Sequence, residues 1–184
     1  MMSKVVYLDR DGVINENRDD YVKSWGEFVF QRGSVDALRR LRQAGCRLVV
    51  VTNQSGVARG LFSPQTLEEI HSLMQAELKK AGAEIDLILT CPHHPDEQCC
   101  CRKPEIGLFQ RAEERLALGT YQGFLVGDSL TDMRAGRRAG CRTILVLTGK
   151  PLAKPLWRAL EESHPDHICW DLADAADYIL DRSG

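Results

Sequence analysis

Nowhere in these 184 residues is there an apolar run long enough to cross a membrane, nor any long run of basic residues. The first absence excludes a helical span, which takes about 20 apolar residues. The second, with a formal net charge of -2, removes the electrostatic case for nucleic acid or an anionic membrane surface as a partner. Internal repeats, low-complexity tracts and Pro/Gly/Ser linkers are missing as well. A second domain has no point of attachment, and residues 1–184 read as a single domain. Met1-Met2-Ser3-Lys4 runs into a strand pattern without a signal-peptide pattern, so the expected location is cytoplasmic. No unassigned apolar stripe marks an interface, which points to a monomer.

What is present is an alternation of short apolar runs with amphipathic stretches, the pattern of a parallel sheet covered by helices on both faces. Strands are expected at Val5 to Leu8, Leu48 to Val51, Ile85 to Thr90, Phe124 to Val126, Thr143 to Leu147 and His167 to Cys169. Ser63-Pro64 reads as an N-cap with proline at the first helical position, and Leu67, Ile70, Met74 and Leu78 then form one apolar face that ends at Gly82. Shorter helices are expected over Ser34 to Ala44, Ile106 to Leu118 and Thr131 to Ala139, each followed by glycine. Gly149 to Pro155 reads as a surface crossing to a last helix and strand.

Ligands of open α/β sheets bind beyond the carboxyl ends of the strands, and here those ends carry reactive groups. Val5 to Leu8 runs into Asp9-Arg10-Asp11-Gly12. Two carboxylates one residue apart repel unless a cation lies between them, and Mg²⁺, which takes oxygen ligands and leaves room for a phosphate, resolves the repulsion. An isolated Asp-x-Asp-Gly also occurs as a turn or cap pair; the other strand ends set this one apart. The second strand ends in Thr52-Asn53-Gln54-Ser55-Gly56, a hydroxyl, an amide and backbone N–H groups suited to a phosphate, with Arg59 close behind. Arg102 and Lys103 precede a helix start, and the strand at Phe124 ends in Gly127-Asp128-Ser129-Leu130-Thr131-Asp132.

Four of the seven cysteines crowd between Cys91 and Cys101, together with His93 and His94. In a reducing compartment such clustering reads as metal rather than disulfide. Alternation puts Cys91 with His93, and Cys99 with Cys101, on common sides, leaving His94 and Cys100 out. Three thiolates and one imidazole make a closed structural Zn²⁺ site. Cys46, Cys141 and Cys169 sit in or beside apolar runs and read as small hydrophobes.

DRDGVI, TNQSG, RKP and GDSLTD, in that order between Val5 and Leu147, make the chain resemble the haloacid dehalogenase superfamily of phosphohydrolases. The resemblance implies a Rossmann-like three-layer α/β sandwich around a central parallel sheet, Mg²⁺ dependence and an aspartyl-phosphate intermediate. Position by position, it makes Asp9 the nucleophile, and Asp11 the acid that protonates the leaving alcohol and then activates water. Thr52 and Lys103 steady the phosphoryl oxygens. Asp9, the backbone carbonyl of Asp11 and Asp128 hold Mg²⁺, with Asp132 an orienting group. A general acid of this kind is expected to have a raised pKa. The gaps between motifs are too short for a large cap domain, which implies an open site. Val13 departs from the threonine that many members carry there.

Within the superfamily, DRDGVIN, TNQSGVARG, CPHHP and CxCRKP resemble the D-glycero-D-manno-heptose 1,7-bisphosphate 7-phosphatases, with the histidinol-phosphate phosphatases as neighbours. This implies a sugar bisphosphate substrate on the way to ADP-heptose and the lipopolysaccharide core. Arg102 would meet the second phosphate or the sugar, with Arg59 a further cation; Asn17, Arg18, Asp19, Asp20 and Tyr21 read either as a loop that bonds sugar hydroxyls or as an ordinary polar loop. Three alternatives stand beside it: histidinol phosphate as substrate, transfer of the phosphoryl group to an acceptor other than water, and a non-catalytic sugar-phosphate-binding or zinc scaffold protein. The last predicts loss of Asp9 or Asp11, and both are present.

Overall fold

Strands buried on both faces read as unbroken apolar runs, and the apolar runs of this sequence form such strands. The structure, a computed structural model, describes residues 3–118, 121–149 and 156–181. Its strands are β1 (Ser3–Leu8), β2 (Arg47–Asn53), β3 (Leu87–Cys91), β4 (Tyr121–Gly127), β5 (Arg142–Val146) and β6 (His167–Cys169), with helices α1 (Ser34–Gln43), α2 (Pro64–Lys80), α3 (Gly107–Leu116), α4 (Leu130–Arg138), α5 (Leu156–Ser163) and α6 (Leu172–Asp181). The strands form one sheet in the order β3-β2-β1-β4-β5-β6, parallel at every pairing.

Alternate strand residues serve opposite layers. Val6, Leu8, Leu48 and Val50 pack with Leu38 and Leu41 of α1, Ile70, Met74 and Leu78 of α2, and Ala176 and Ile179 of α6. Val5, Tyr7, Val49 and Val51 face Leu108, Phe109 and Ala112 of α3 and Ala135 of α4. The three-layer α/β sandwich expected from the sequence is therefore present. α2 begins as its sequence requires, the Ser63 hydroxyl accepting from the Thr66 N–H at 3.0 Å with Pro64 at the first position. No helix of the described residues is long and apolar enough to cross a membrane.

Two expectations need correction. The chain has a further helix, α6, after its last strand. Leu172, Ala175, Ala176 and Ile179 are buried at helical spacing, and the Asp171 side chain caps the start by accepting from the Asp174 N–H at 3.0 Å. α3 ends at Leu116, two residues early, because Ala117 itself takes the left-handed conformation (φ 46°) that was expected of Gly119. Gly119, and the supposed surface crossing from Lys150 to Pro155, lie outside the described residues.

The chain lays down β1, β2 and β3 in one direction and then returns to place β4 on the other side of β1. The direction of winding reverses at β1 and β4, and it is outside the carboxyl ends of such a pair that the connecting loops part to leave a crevice. Asp9 follows β1 and Asp128 follows β4 directly.

Candidate active site

Asp9 is the first residue past β1, tied to the neighbouring strand end by its N–H, which donates to the Val126 carbonyl at 3.0 Å. The chain then turns sharply, the Gly12 N–H donating to the Asn15 carbonyl at 2.7 Å. Gly12 has φ of 81°, and a Cβ there would lie 2.3 Å from Oδ2 of Asp128. Both conformation and space demand glycine, which lets the first turn and the β4 carboxylate share one crevice. Asp132 is set by the start of α4: the Ser129 hydroxyl accepts from its N–H at 3.3 Å, while its Oδ2 accepts from the Ser129 N–H at 3.1 Å. This reciprocal cap leaves Oδ1 for Lys103, whose Nζ lies 2.6 Å away and 3.0 Å from Oδ2 of Asp9.

Asp9, Asp128 and Asp132 each offer a carboxylate oxygen to one cluster whose atoms all lie within 4.8 Å of one another. Burial pushes the Asp9 carboxyl up to about 6, with Asp132 and Asp11 adding to the shift and Lys103 opposing it. Burial, then Asp132 and Asp9, pushes Asp128 well above the carboxylate range. Burial alone would lower the Lys103 pKa, but the Asp132 and Asp9 carboxylates outweigh it and hold the ammonium charged. One buried cation among these acids leaves negative charge uncompensated. An all-oxygen donor set of this kind fits a hard divalent ion such as Mg²⁺.

Asp11 departs from expectation. Burial would raise its pKa, yet the carboxyl is held below the usual range by the Arg10 guanidinium and by Asn15 and Gln54. Arg10 Nη2 donates to both Asp11 oxygens at 2.9 and 3.0 Å, Asn15 Nδ2 to Oδ1 at 2.8 Å and Gln54 Nε2 to Oδ2 at 2.6 Å. The acid expected to be raised is thus lowered instead, its charged form favoured by these donors.

At the end of β2 and just past it, the side chains of Thr52, Asn53, Gln54 and Ser55 are engaged by neighbouring protein groups. Thr52 is buried and its hydroxyl accepts from Gln54 Nε2 at 3.0 Å. Asn53 mimics a backbone partner, accepting from the Lys103 N–H at 3.1 Å and donating to the Lys103 carbonyl at 3.2 Å. Ser55 is buried against the Tyr21 hydroxyl at 3.2 Å. Asn53, Gln54 and Ser55 therefore hold Lys103, Asp11 and Tyr21 in place with their side chains. Of the loop after the first motif, Asn17 donates to Oδ2 of Asp128 at 3.1 Å, whereas Arg18 and Asp20 are exposed and paired with each other at 3.1 Å.

Asp9, Asp11, Asn17, Arg18, Asp19, Tyr21, Asn53 and Asp128 line a cavity of about 240 Å³. Beside it, sharing Asp19 and Tyr21, lies a wider hollow of about 770 Å³ that adds Lys23, Arg59 and His94. Arg102 lines neither, but its Nη1 is buried with no hydrogen-bond partner among the described residues.

The cysteine loop folds as its alternation implied. Sγ of Cys91 lies 3.5 Å from His93 Nδ1 and 3.5 Å from Cys99 Sγ, with Cys101 Sγ 3.6 Å from Cys99 Sγ and 3.2 Å from His93 Nδ1. A tetrahedral zinc, with sulfur at about 2.3 Å and nitrogen at about 2.0 Å, sets its ligands roughly 3.5–3.8 Å apart, so the four residues fit that ion. Cys100 is exposed, and His94 instead caps the turn Pro95–Glu97.

The family model described as HAD-hyrolase-like matches residues 100–175. A D-glycero-beta-D-manno-heptose-1,7-bisphosphate 7-phosphatase of Bordetella bronchiseptica is 41% identical over 180 residues, 98% of this chain and 99% of its own length. A protein of the same name from Neisseria meningitidis serogroup A is 46% identical over 182 residues, 98% of this chain and 96% of its own. The crystal structure of D,D-heptose 1.7-bisphosphate phosphatase from B. bronchiseptica complexed with magnesium and phosphate matches at a TM-score of 0.87 and 40% identity, covering 98% of this chain and 99% of that one. A buried acidic cluster at the point where winding reverses, with likeness over nearly the whole length, leads to one conclusion: the chain is a phosphoric monoester hydrolase and belongs to the D-glycero-β-D-manno-heptose-1,7-bisphosphate 7-phosphatase family of haloacid dehalogenase-like enzymes.

Proposed function

We propose that the protein, acting as one phosphatase domain, removes the 7-phosphate of D-glycero-β-D-manno-heptose 1,7-bisphosphate through a phosphoryl group carried on Asp9. The observation that carries this reading is Asp9 itself, which lines the cavity with Asp128, lies 3.0 Å from the buried Lys103 ammonium and is clustered with Asp128 and Asp132. Asp9 attacks phosphorus, the bond to the sugar oxygen breaks, and that oxygen takes a proton from Asp11. Asp11, again an anion, removes a proton from water; the hydroxide displaces Asp9 and releases phosphate. The grip of Arg10 suits the second half, where an ionised Asp11 is needed. In the first half the entering phosphate dianion raises the proton affinity of Asp11. Lys103 and the Thr52 segment steady phosphoryl oxygens, and Asp132 orients Lys103. Mg²⁺, held by Asp9, Asp128 and the Asp11 backbone carbonyl, supplies positive charge to the phosphoryl group and offsets the clustered acids.

The neighbouring hollow gives room for the rest of a sugar bisphosphate. Arg59 faces it and supplies a cation for the second phosphate, while Asp19 and Tyr21, shared by both cavities, lie where sugar hydroxyls pass. The unpartnered Arg102 nitrogen is a second donor for an anion. Histidinol phosphate, with a cationic amine at its far end, gains nothing from Arg59. Comparing phosphate release from both heptose bisphosphate anomers, heptose 7-phosphate and histidinol phosphate tests the assignment. Arg59→Ala is expected to raise KM for the bisphosphate about tenfold and leave heptose 7-phosphate unchanged; equal effects on both would remove Arg59 from the second-phosphate site.

Metal binding should depend on pH in a definite direction. Asp9 has a folded pKa of about 6 against an ordinary 3.8, so in the metal-free protein its contribution to stability is lost as pH rises from about 4 through about 6. Mg²⁺ binding to the ionised group restores it. The rise in Tm on adding Mg²⁺ is therefore expected to be small at about pH 5 and several degrees at about pH 8. Equal rises at the two values would contradict a metal bound through Asp9.

Zn²⁺ held by Cys91, His93, Cys99 and Cys101 fixes the loop that runs directly into Arg102 and Lys103. The Cys100 carbonyl between two of these ligands accepts from the Gly107 N–H of α3 at 3.1 Å, so the loop and that helix move together. Cys99→Ser or Cys101→Ser is expected to take zinc from about one ion per chain to near zero and to lower Tm by roughly 10 °C. Retention of stoichiometric zinc in both variants would sink the assignment.

A further inference from the structure

We infer that His71 is a positioning residue for this reaction: it accepts a hydrogen bond from Arg10 and thereby fixes the guanidinium fork that holds the Asp11 carboxylate. This rests on the reading of Asp11 as the acid and base.

Arg10 is the largest fully buried side chain among the described residues, with no exposed surface. Nε and Nη2 reach Asp11, at 3.3 Å for Nε and 2.9 and 3.0 Å for Nη2, and Nη1 lies 3.0 Å from Nε2 of His71. A guanidinium has only donors to offer, so Nε2 must present its lone pair, and the imidazole is neutral with its proton on Nδ1. Burial, with Arg10 adding to it, pushes the His71 pKa down to about 3, in keeping with that form. The geometry is set from a distance. His71 is carried on α2 beside Ile70, whose apolar face is sunk in the core through Leu67, Ile70, Met74 and Leu78. Arg10, just past β1, and His71, on α2, are 61 residues apart in sequence, and the packing of α2 brings them together.

Removing the imidazole leaves a buried charged N–H without an acceptor. On its far side His71 lines a groove of about 520 Å³ with Gln75, Thr90 and Pro92, so water can enter there, or the guanidinium can turn toward it. Either way the fork loosens, and Asp11 is left with the Asn15 and Gln54 amides, which fix its position less firmly than a bidentate charged partner. The effect falls on proton transfer rather than on substrate or metal binding.

The test compares His71→Ala, His71→Gln, Arg10→Lys and the R10K/H71A double variant with the parent protein at saturating Mg²⁺, with Asp11→Asn as the reference for lost acid–base chemistry. H71A is expected to lower kcat about tenfold, within the range general acid–base catalysis supplies, with KM and Mg²⁺ affinity within about threefold. H71Q, whose side-chain carbonyl can accept from Arg10, is expected to recover most of the loss. The double variant is expected to be no slower than R10K, because His71 acts through Arg10. The inference is overturned if H71A keeps kcat within twofold while D11N is inactive. It is overturned equally if the H71A and R10K losses multiply and glutamine rescues nothing, the signature of a merely structural histidine. Full activity in D11N would instead remove the acid–base reading beneath it.

Discussion

Asp9→Asn is expected to reduce kcat by about 10⁴-fold or more, the scale seen when a covalent nucleophile is removed, and in the absence of metal to raise Tm by about 3 °C at about pH 8. The two effects have one cause. Asp9 is raised from 3.8 to about 6 mainly by burial, with Asp132 and Asp11 adding and Lys103 only partly offsetting, so its ionised form is disfavoured in the folded protein. Above about pH 6 the carboxylate is charged in both folded and unfolded chains and the full penalty applies, at most about 3 kcal/mol. Below about pH 4 it is protonated in both and the penalty vanishes. An asparagine amide has nearly the same shape without the charge, so the variant's advantage should be present at about pH 8 and absent at about pH 4. Calorimetry in EDTA at the two values, beside a phosphate-release assay, checks both halves. A variant that turns over within tenfold of the parent would remove Asp9 from the chemistry; a Tm unchanged at about pH 8 would mean the clustered acids are not in conflict.

The sheet and the strand-end residues were legible because apolar runs and the polar residues that stop them are local signals. Asp9, Asp128 and the clustered Cys91, His93, Cys99 and Cys101 needed only strand position and alternation to be found. What the sequence hid was direction and partnership. Asn53, Gln54 and Ser55 read as groups facing a phosphate, but which way a side chain turns past a strand end depends on what the neighbouring loop offers; here Lys103, Asp11 and Tyr21 claim them. The lowered pKa of Asp11 was hidden for the same reason, since nothing in the string says that Arg10 folds back onto its neighbour and not toward the substrate. A fully buried arginine needs an anion, and an arginine between two aspartates at a strand end was the available hint. His71, distant in the chain, gave none. α6 escaped because half of its four buried residues are alanine, a weak apolar signal beside the aspartates that share the helix.

Lys103→Met should move stability the opposite way. Lys103 is buried, its Nζ shared between Asp9 at 3.0 Å and Asp132 at 2.6 Å, and its backbone is clamped at both ends by the Asn53 amide. Methionine fills much of the same volume without charge, so the change isolates electrostatics from packing. Removing one partner of a buried ion pair costs about 3–5 kcal/mol because the remaining charges are uncompensated; the expected fall in Tm is roughly 10 °C at about pH 8 without metal. Without Lys103 the Asp9 pKa rises further, since the ammonium is what opposes burial there, so much of the loss should return at about pH 5 as the carboxyls take up protons. Turnover should drop by about 10³-fold for want of a fixed cation at the phosphoryl oxygens, and low pH should not recover it. Lys103→Arg, too large for a site closed on Asp9 and Asp132, should not restore activity. If the K103M loss of stability is the same at about pH 8 and about pH 5, the lysine serves as filler and the acids do not depend on it. If D9N raises Tm, K103M lowers it and the double variant lies between them, the active site holds its reactive carboxylate against the stability of the fold, with Lys103 and the metal together keeping it ionised.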